Sequence, residues 1–303
     1  MKKGLGIAIA ILIIGISVIV IGKVSTIETE VATSAPTNEG KDISLKVNSM
    51  DVLQEMEEPR DNHIIDGYNN VRVFGAVGDG TTDDTLALVA ASEAALINGG
   101  TLYIPSDMTC LISRDMDLFG IKSIRFEGVV TAKSNVTLII GFNCEQAEAT
   151  NYYFRKVSNV NLKIAGMSNG IVTVQQADSL ELFCDADQQG RSFIAYSTFH
   201  LGLVRNLTID SIGEKDGWIN ENRFYGGRVQ KLLIAGNYPH NNNVFYGTMF
   251  ENFSAEILTG SSNYFRDCRL EGTVDIFFAE GTFNNYFERS WFDLEDQYLM
   301  GTY

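Results

Sequence analysis

Four short stretches, Asn222-Arg223-Phe224, Asn243-Val244-Phe245, Asn263-Tyr264-Phe265 and Asn285-Tyr286-Phe287, share the pattern Asn-x-Phe at spacings of 21, 20 and 22 residues. Recurrence at such a period marks stacked units, none of which can bury its own inner face alone. Each interval fits one coil of a β-solenoid, with rungs stacking at about 4.8 Å. The four Asn then form an internal or corner ladder, and Phe224, Phe245, Phe265 and Phe287 an aromatic stack. Both are structural material. Upstream, apolar alternations centred on Ile124, Val160, Leu180, Leu207 and Leu232 predict looser rungs of the same stack.

Placing the four repeats in register lets their columns be compared. Five positions after the Asn stand Gly227, Thr248, Cys268 and Ser290, all small, and seven positions after it Val229, Phe250, Leu270 and Phe292. Both columns are expected inside, so strand alternation turns positions six and eight outward. Position six reads Arg228, Met249, Arg269, Trp291, and position eight reads Gln230, Glu251, Glu271, Asp293. Carboxylates on adjacent rungs start about 4.8 Å apart and on alternate rungs about 10 Å apart, which brackets the separations that glycosidases use. Crowding two acids also raises one pKa, as a general acid needs. Glu251 and Glu271 are therefore the first candidate acid and base, and Asp293 the second. Arg228, Arg269 and Trp291 are candidates to hold sugar rings by hydrogen bonds and stacking. The competing reading is a solvated acidic edge that is salt-bridged to its own arginines.

The composition suits this architecture. Twenty-eight glycines against four prolines, with 11% aromatic residues, favour turn-dense β structure over a helical bundle. A net charge of −15 leaves no basic footprint for nucleic acid. Cys110, Cys144, Cys184 and Cys268 are far apart and form no CxxC pair, so they read as buried small hydrophobes rather than zinc ligands or a disulfide framework. No metal and no cofactor is expected.

The N-terminus has a different character. After Met1, Lys2 and Lys3, residues 4–22 are uncharged and mostly aliphatic, ending at Lys23. As a helix this stretch spans about 28 Å, close to a hydrocarbon core. Residues 1–23 therefore read as a transmembrane anchor, preferred over a cleaved signal. The lysine balance keeps the N-terminus inside and the remainder outside, on a virion membrane or a cell surface. Residues 24–62, rich in Thr, Ser, Glu and Asp, read as a polar stalk, and residues 63–303 as the solenoid domain.

From Asn70 the chain runs Val71-Arg72-Val73-Phe74-Gly75-Ala76-Val77-Gly78-Asp79-Gly80-Thr81-Thr82-Asp83-Asp84-Thr85. This is a strand, a glycine-rich turn and the acidic start of a helix, with Thr82 or Asp83 as its cap. The helix extends to about Ile97 and is stopped by Asn98-Gly99-Gly100, before a strand at 101–104. Asp83-Asp84 invites a catalytic reading, but its place at a helix start makes it structural. Residues 70–105 closely resemble the N-terminal segment of the pectate-lyase-like superfamily of right-handed parallel β-helices, and the repeats extend the resemblance to about residue 293. The likeness is nearest to the bacteriophage tailspike branch. It implies an all-β, right-handed parallel β-helix whose N-terminal helix caps the open end of the solenoid, here preceded by a transmembrane helix.

For function, the resemblance implies a homotrimer that recognises a surface polysaccharide. The Gly-His-Gly and Arg-Ile-Lys signatures of related polygalacturonases are missing, and the single Asp-Asp lies in the cap segment. The expectation is thus a membrane-anchored surface or virion spike used for attachment. The alternative is a polysaccharide-cleaving hydrolase or lyase of the same superfamily.

Overall fold

The computed structural model describes residues 64–65, 67–146, 148–215 and 217–301. The expected anchor (1–23) and stalk (24–62) lie outside the described residues. Among these, no helix is long and apolar enough to cross a membrane. The single-pass membrane placement is accordingly withdrawn.

The chain opens with a short antiparallel pair, Ile64–Ile65 with Tyr68–Asn70. Strand Asp79–Asp83 leads into helix α1, Thr85–Asn98, and strands Thr101–Ile104 and Thr109–Ile112 follow. The helix occupies the expected stretch, but its N-cap is Asp84, which makes no side-chain capping bond. The Asp84 carboxylate instead turns back to the glycine loop and accepts the Val77 and Gly78 amides. Asp83 accepts the Thr85 amide and hydroxyl at 3.0 and 2.5 Å and the Ser113 hydroxyl at 2.6 Å. These hydrogen bonds hold its carboxyl below the usual range. Both aspartates are committed to local structure. At the other end Gly99 takes the left-handed conformation, φ 71°, and donates its amide to the Ala95 carbonyl. Leu88, Ala91 and Ala95 turn the buried side of α1 into the common core.

Eight successive rungs then stack in parallel: Ser123–Ile140 (rung 1), Asn151–Ala165 (rung 2), Ile171–Asp185 (rung 3) and Thr198–Ile212 (rung 4). Rungs 5 to 8 are each broken in two, as Arg223–Tyr225 with Arg228–Ile234, Val244–Tyr246 with Met249–Ile257, Tyr264–Arg266 with Arg269–Phe278, and Tyr286–Glu288 with Trp291–Gly301. A second, smaller parallel sheet joins Met167–Ser168, Phe193–Ala195 and Trp218–Asn220. The all-β parallel solenoid expected from the repeats is therefore present.

Its core is made by columns. Ile124, Tyr152, Val172, Phe199, Phe224, Phe245, Phe265 and Phe287 follow one another in register. From Phe199 onward the rings stack at 4.8, 4.4, 4.9 and 4.6 Å. Beside them runs the Asn ladder. Each Asn Oδ1 accepts both the amide N–H and the side-chain Nδ2–H of the Asn one rung earlier, at 3.0–3.2 Å, from Asn222 through Asn243 and Asn263 to Asn285. The second Nδ2 hydrogen of Asn222, Asn243 and Asn263 goes to the carbonyl of Ile194, Ile219 or His240. The buried amides are fully satisfied, which is why the ladder requires Asn and no smaller acceptor.

The break in rungs 5 to 8 is a corner. At Gly227 φ is 75°, and an added Cβ would lie 2.5 Å from the Gly202 and Leu201 carbonyls, so no side chain fits. The four cysteines are free and buried. Burial pushes the Cys110 and Cys184 thiols up to about 12 and Cys268 up to about 11, as inert core residues should be.

Candidate functional site

After the corner, the longer strands of rungs 5 to 8 present one outward face. Register places Arg228, Met249, Arg269 and Trp291 side by side, and two residues further on Glu251, Glu271 and Asp293. Gln230 falls at the irregularity between Val229 and Lys231. Thr248, Cys268, Val229, Phe250 and Leu270 are buried as the alternation requires, whereas Phe292 in rung 8 is exposed.

Within this strip Arg228 Nη1 meets Glu251 Oε2 at 2.5 Å, one rung away. Arg269 pairs with Glu271 on its own strand. The Arg269 guanidinium also lies over the Trp291 ring, 5.7 Å from its centre, and Trp291 is 65% exposed. Five of the six predicted residues thus form one patch, and Asp293 continues its backbone register. Each glutamate is thus met by a guanidinium, and the strip combines hydrogen-bonding groups with an exposed ring face.

Charged groups on the neighbouring strands are paired locally. Arg289 grips Asp267 at 2.7 and 2.8 Å and holds its carboxyl below the usual range. Arg266 pairs with Glu288 at 2.7 Å. His240 is fully buried. Its Nδ1 accepts the Ile219 amide, so Nε2 carries the proton and donates it to the Ala235 carbonyl. Burial lowers its pKa to about 4. Among the described residues no group of three or more His, Cys, Asp or Glu side chains is placed to hold a metal.

Two features escaped the sequence. A cleft of about 340 Å³, lined by Asn206, Thr208, Lys231, Leu233 and Glu256, runs along the same sheet in rungs 4 to 6. Upstream of it Lys163 and Glu181 pair at 2.9 Å while largely covered. Asn161 donates to Glu181 at 2.7 Å and accepts from Ser179 at 2.8 Å, and the Lys163 ammonium sits 3.4 Å from the centre of the Phe183 ring. Only the register of the irregular rungs brings these residues together.

No family model matches the chain. Over 159 residues, 50% of its length, it is 30% identical to the mannuronan C5-epimerase AlgE5 of Azotobacter vinelandii. Over 71 residues it is 38% identical to AlgE3, another mannuronan C5-epimerase of that organism, and over 38 residues 60% identical to its alginate lyase 7. The chain spans 12%, 3% and 4% of the lengths of these three relatives. Among solved structures, ORF18 of Geobacillus virus E2 aligns over 76% of this chain and 62% of its own, at 15% identity and a TM-score of 0.34. What the chain shares with known proteins is therefore similarity to enzymes named for acting on polysaccharides, and the tailspike branch is not singled out.

Proposed function

We propose that this protein binds an extended polysaccharide on the outward strip of rungs 5 to 8 and serves attachment to a glycan-bearing surface, as tailspikes do. The observation that carries the reading is the exposed Trp291 ring with Arg269 over it, in line with Arg228: an apolar platform flanked by fixed donors. Relatives named for mannuronan and alginate support the ligand class. In this reading α1 closes the N-terminal end of the stack, residues 63–303 act as one domain, and the assembly is a homotrimer, which light scattering on the full chain would test. Replacing Arg269 by Gln and Trp291 by Ala together is expected to weaken binding of mannuronan at least tenfold. Unchanged affinity in this variant overturns the strip as the binding surface.

The second reading is an enzyme acting on the same polymer, with Glu251 and Glu271, or Asp293, as acid and base. It is favoured by the catalytic names of the relatives and by two carboxylates in adjacent register. The readings separate in the Glu251→Gln, Glu271→Gln double variant, which keeps binding in the first and loses turnover in the second.

A further inference from the structure

The short strands that precede the corner carry a second outward surface. Each has its central Phe turned inward, so its two flanking residues face out: Arg223 and Tyr225, Val244 and Tyr246, Tyr264 and Arg266, Tyr286 and Glu288. His200 of rung 4 continues one of these columns. Its ring stacks on Tyr225 at 5.7 Å, Tyr225 on Tyr246 at 5.1 Å, and Tyr264 on Tyr286 at 5.3 Å. Left-handed residues at Gly226, Gly247, Asp267 and Arg289 separate this facet from the Arg228–Trp291 strip.

Three properties of the facet bear on what it can hold. First, its rings are locked by their neighbours, so a ligand orders little on binding; tyrosine supplies broad amphipathic contact at low entropic cost. Second, its polar groups are uncommitted at one end. Among the described residues the Tyr225 and Tyr246 hydroxyls have no hydrogen-bond partner and the exposed Arg223 guanidinium has no counter-ion, whereas Arg266 is ion-paired with Glu288. A free guanidinium in a chain of net charge −15 is a local inversion of sign, and it fits a carboxylate bidentately. Third, the surface repeats once per rung, at about 4.8 Å, a spacing matched to a linear polymer lying along the solenoid axis.

We infer that this tyrosine facet is a second polysaccharide site, one that takes a carboxylate-bearing chain with Arg223 on the carboxylate and the Tyr225 and Tyr246 hydroxyls on sugar hydroxyls. The inference rests on the polysaccharide reading above and adds a face and a charge preference to it. The test titrates the full chain with oligomannuronate and with the same oligomer after its carboxyl groups are reduced to alcohols. Arg223→Gln is expected to weaken the acidic oligomer about tenfold and leave the reduced one unchanged. Tyr225→Phe with Tyr246→Phe, which keeps the ring stack and the fold, is expected to weaken both several-fold. If the natural chain binds and these variants bind equally well while Arg269→Gln with Trp291→Ala does not, the facet is overturned and the polysaccharide reading stands. If the natural chain binds neither oligomer, both fall.

Discussion

Rungs 1 to 4 and rungs 5 to 8 build similar cross-sections from different materials. The first four begin at Ser123, Asn151, Ile171 and Thr198, at intervals of 28, 20 and 27 residues, and each runs through the corner as one long strand. Their inner column mixes Ile124, Tyr152, Val172 and Phe199. The last four recur every 20 to 22 residues, break at left-handed corners, and repeat a buried or half-buried Asn and a buried or half-buried Phe. Long strands spread stability over many apolar contacts, while short broken ones concentrate it in a few identical positions. The second half should therefore be the more fragile to single substitutions.

The largest expected effect follows from that contrast. Phe245→Ala removes a fully buried ring that is stacked on both sides and should cost about 3–5 kcal/mol, more than Phe154→Ala in rung 2, whose buried ring meets a single aromatic neighbour edge-on. Urea denaturation followed by tryptophan fluorescence checks this, since Trp218 and Trp291 both lie toward the second half of the described chain. Asn243→Ala comes next. It strips the acceptor from the Asn222 amide and side chain and leaves buried donors unpaired, at a cost of about 3 kcal/mol. An equal loss from Phe154→Ala and Phe245→Ala would erase the distinction between the halves.

His240 adds a pH signature to rungs 5 to 8. Its pKa is lowered from 6.5 to about 4 by burial, so as pH falls the unfolded chain takes up a proton before the folded chain does. The stability it contributes is complete above about pH 6.5 and is lost progressively toward pH 4, by up to about 3 kcal/mol. The depressed carboxylates Asp83 and Asp267 act in a lower window, their contribution being lost only as the pH falls through and below their ordinary 3.8. Denaturation midpoints between pH 7 and 4, with and without His240→Gln, separate the two. Smallest is the contrast between corners. Gly227→Ala meets backbone carbonyls, whereas Gly247→Ala meets nothing within 4 Å and carries only the left-handed penalty of about 1 kcal/mol. Equal losses at the two sites would mean that the corners relax freely.

The same contrast decided what could be read in advance. The Asn ladder, the Phe stack and the outward strip were legible because a repeated residue type sets the register, and register sets which side chains face out. Helix α1 was legible from its acidic start and its Gly stop, although its cap was not, because Asp84 prefers the amides of the glycine turn. Rungs 1 to 4 stayed loose because Ser197 stands where the later rungs have Asn, and because the connections between rungs vary in length. The Lys163–Glu181 cluster and the Asn206–Lys231 cleft depend on that hidden register. His240 stands between Tyr238-Pro239 and three Asn, a turn-like context that does not foretell its buried ring. The tyrosine facet could have been found by reading one position beyond each Asn-x-Phe, where Tyr225, Tyr246 and Arg266 stand. The pairing of Glu251 and Glu271 with arginines depends on side-chain conformation, which register alone does not determine.

The central claim is that the strip binds a polysaccharide without cutting it. Its most direct test incubates the full chain with mannuronan and follows bound polymer and newly formed chain ends in the same sample, for the natural protein and for Glu251→Gln with Glu271→Gln. The account predicts binding in both and new chain ends in neither; new chain ends from the natural protein that vanish in the double variant would contradict it and make the two glutamates an active site.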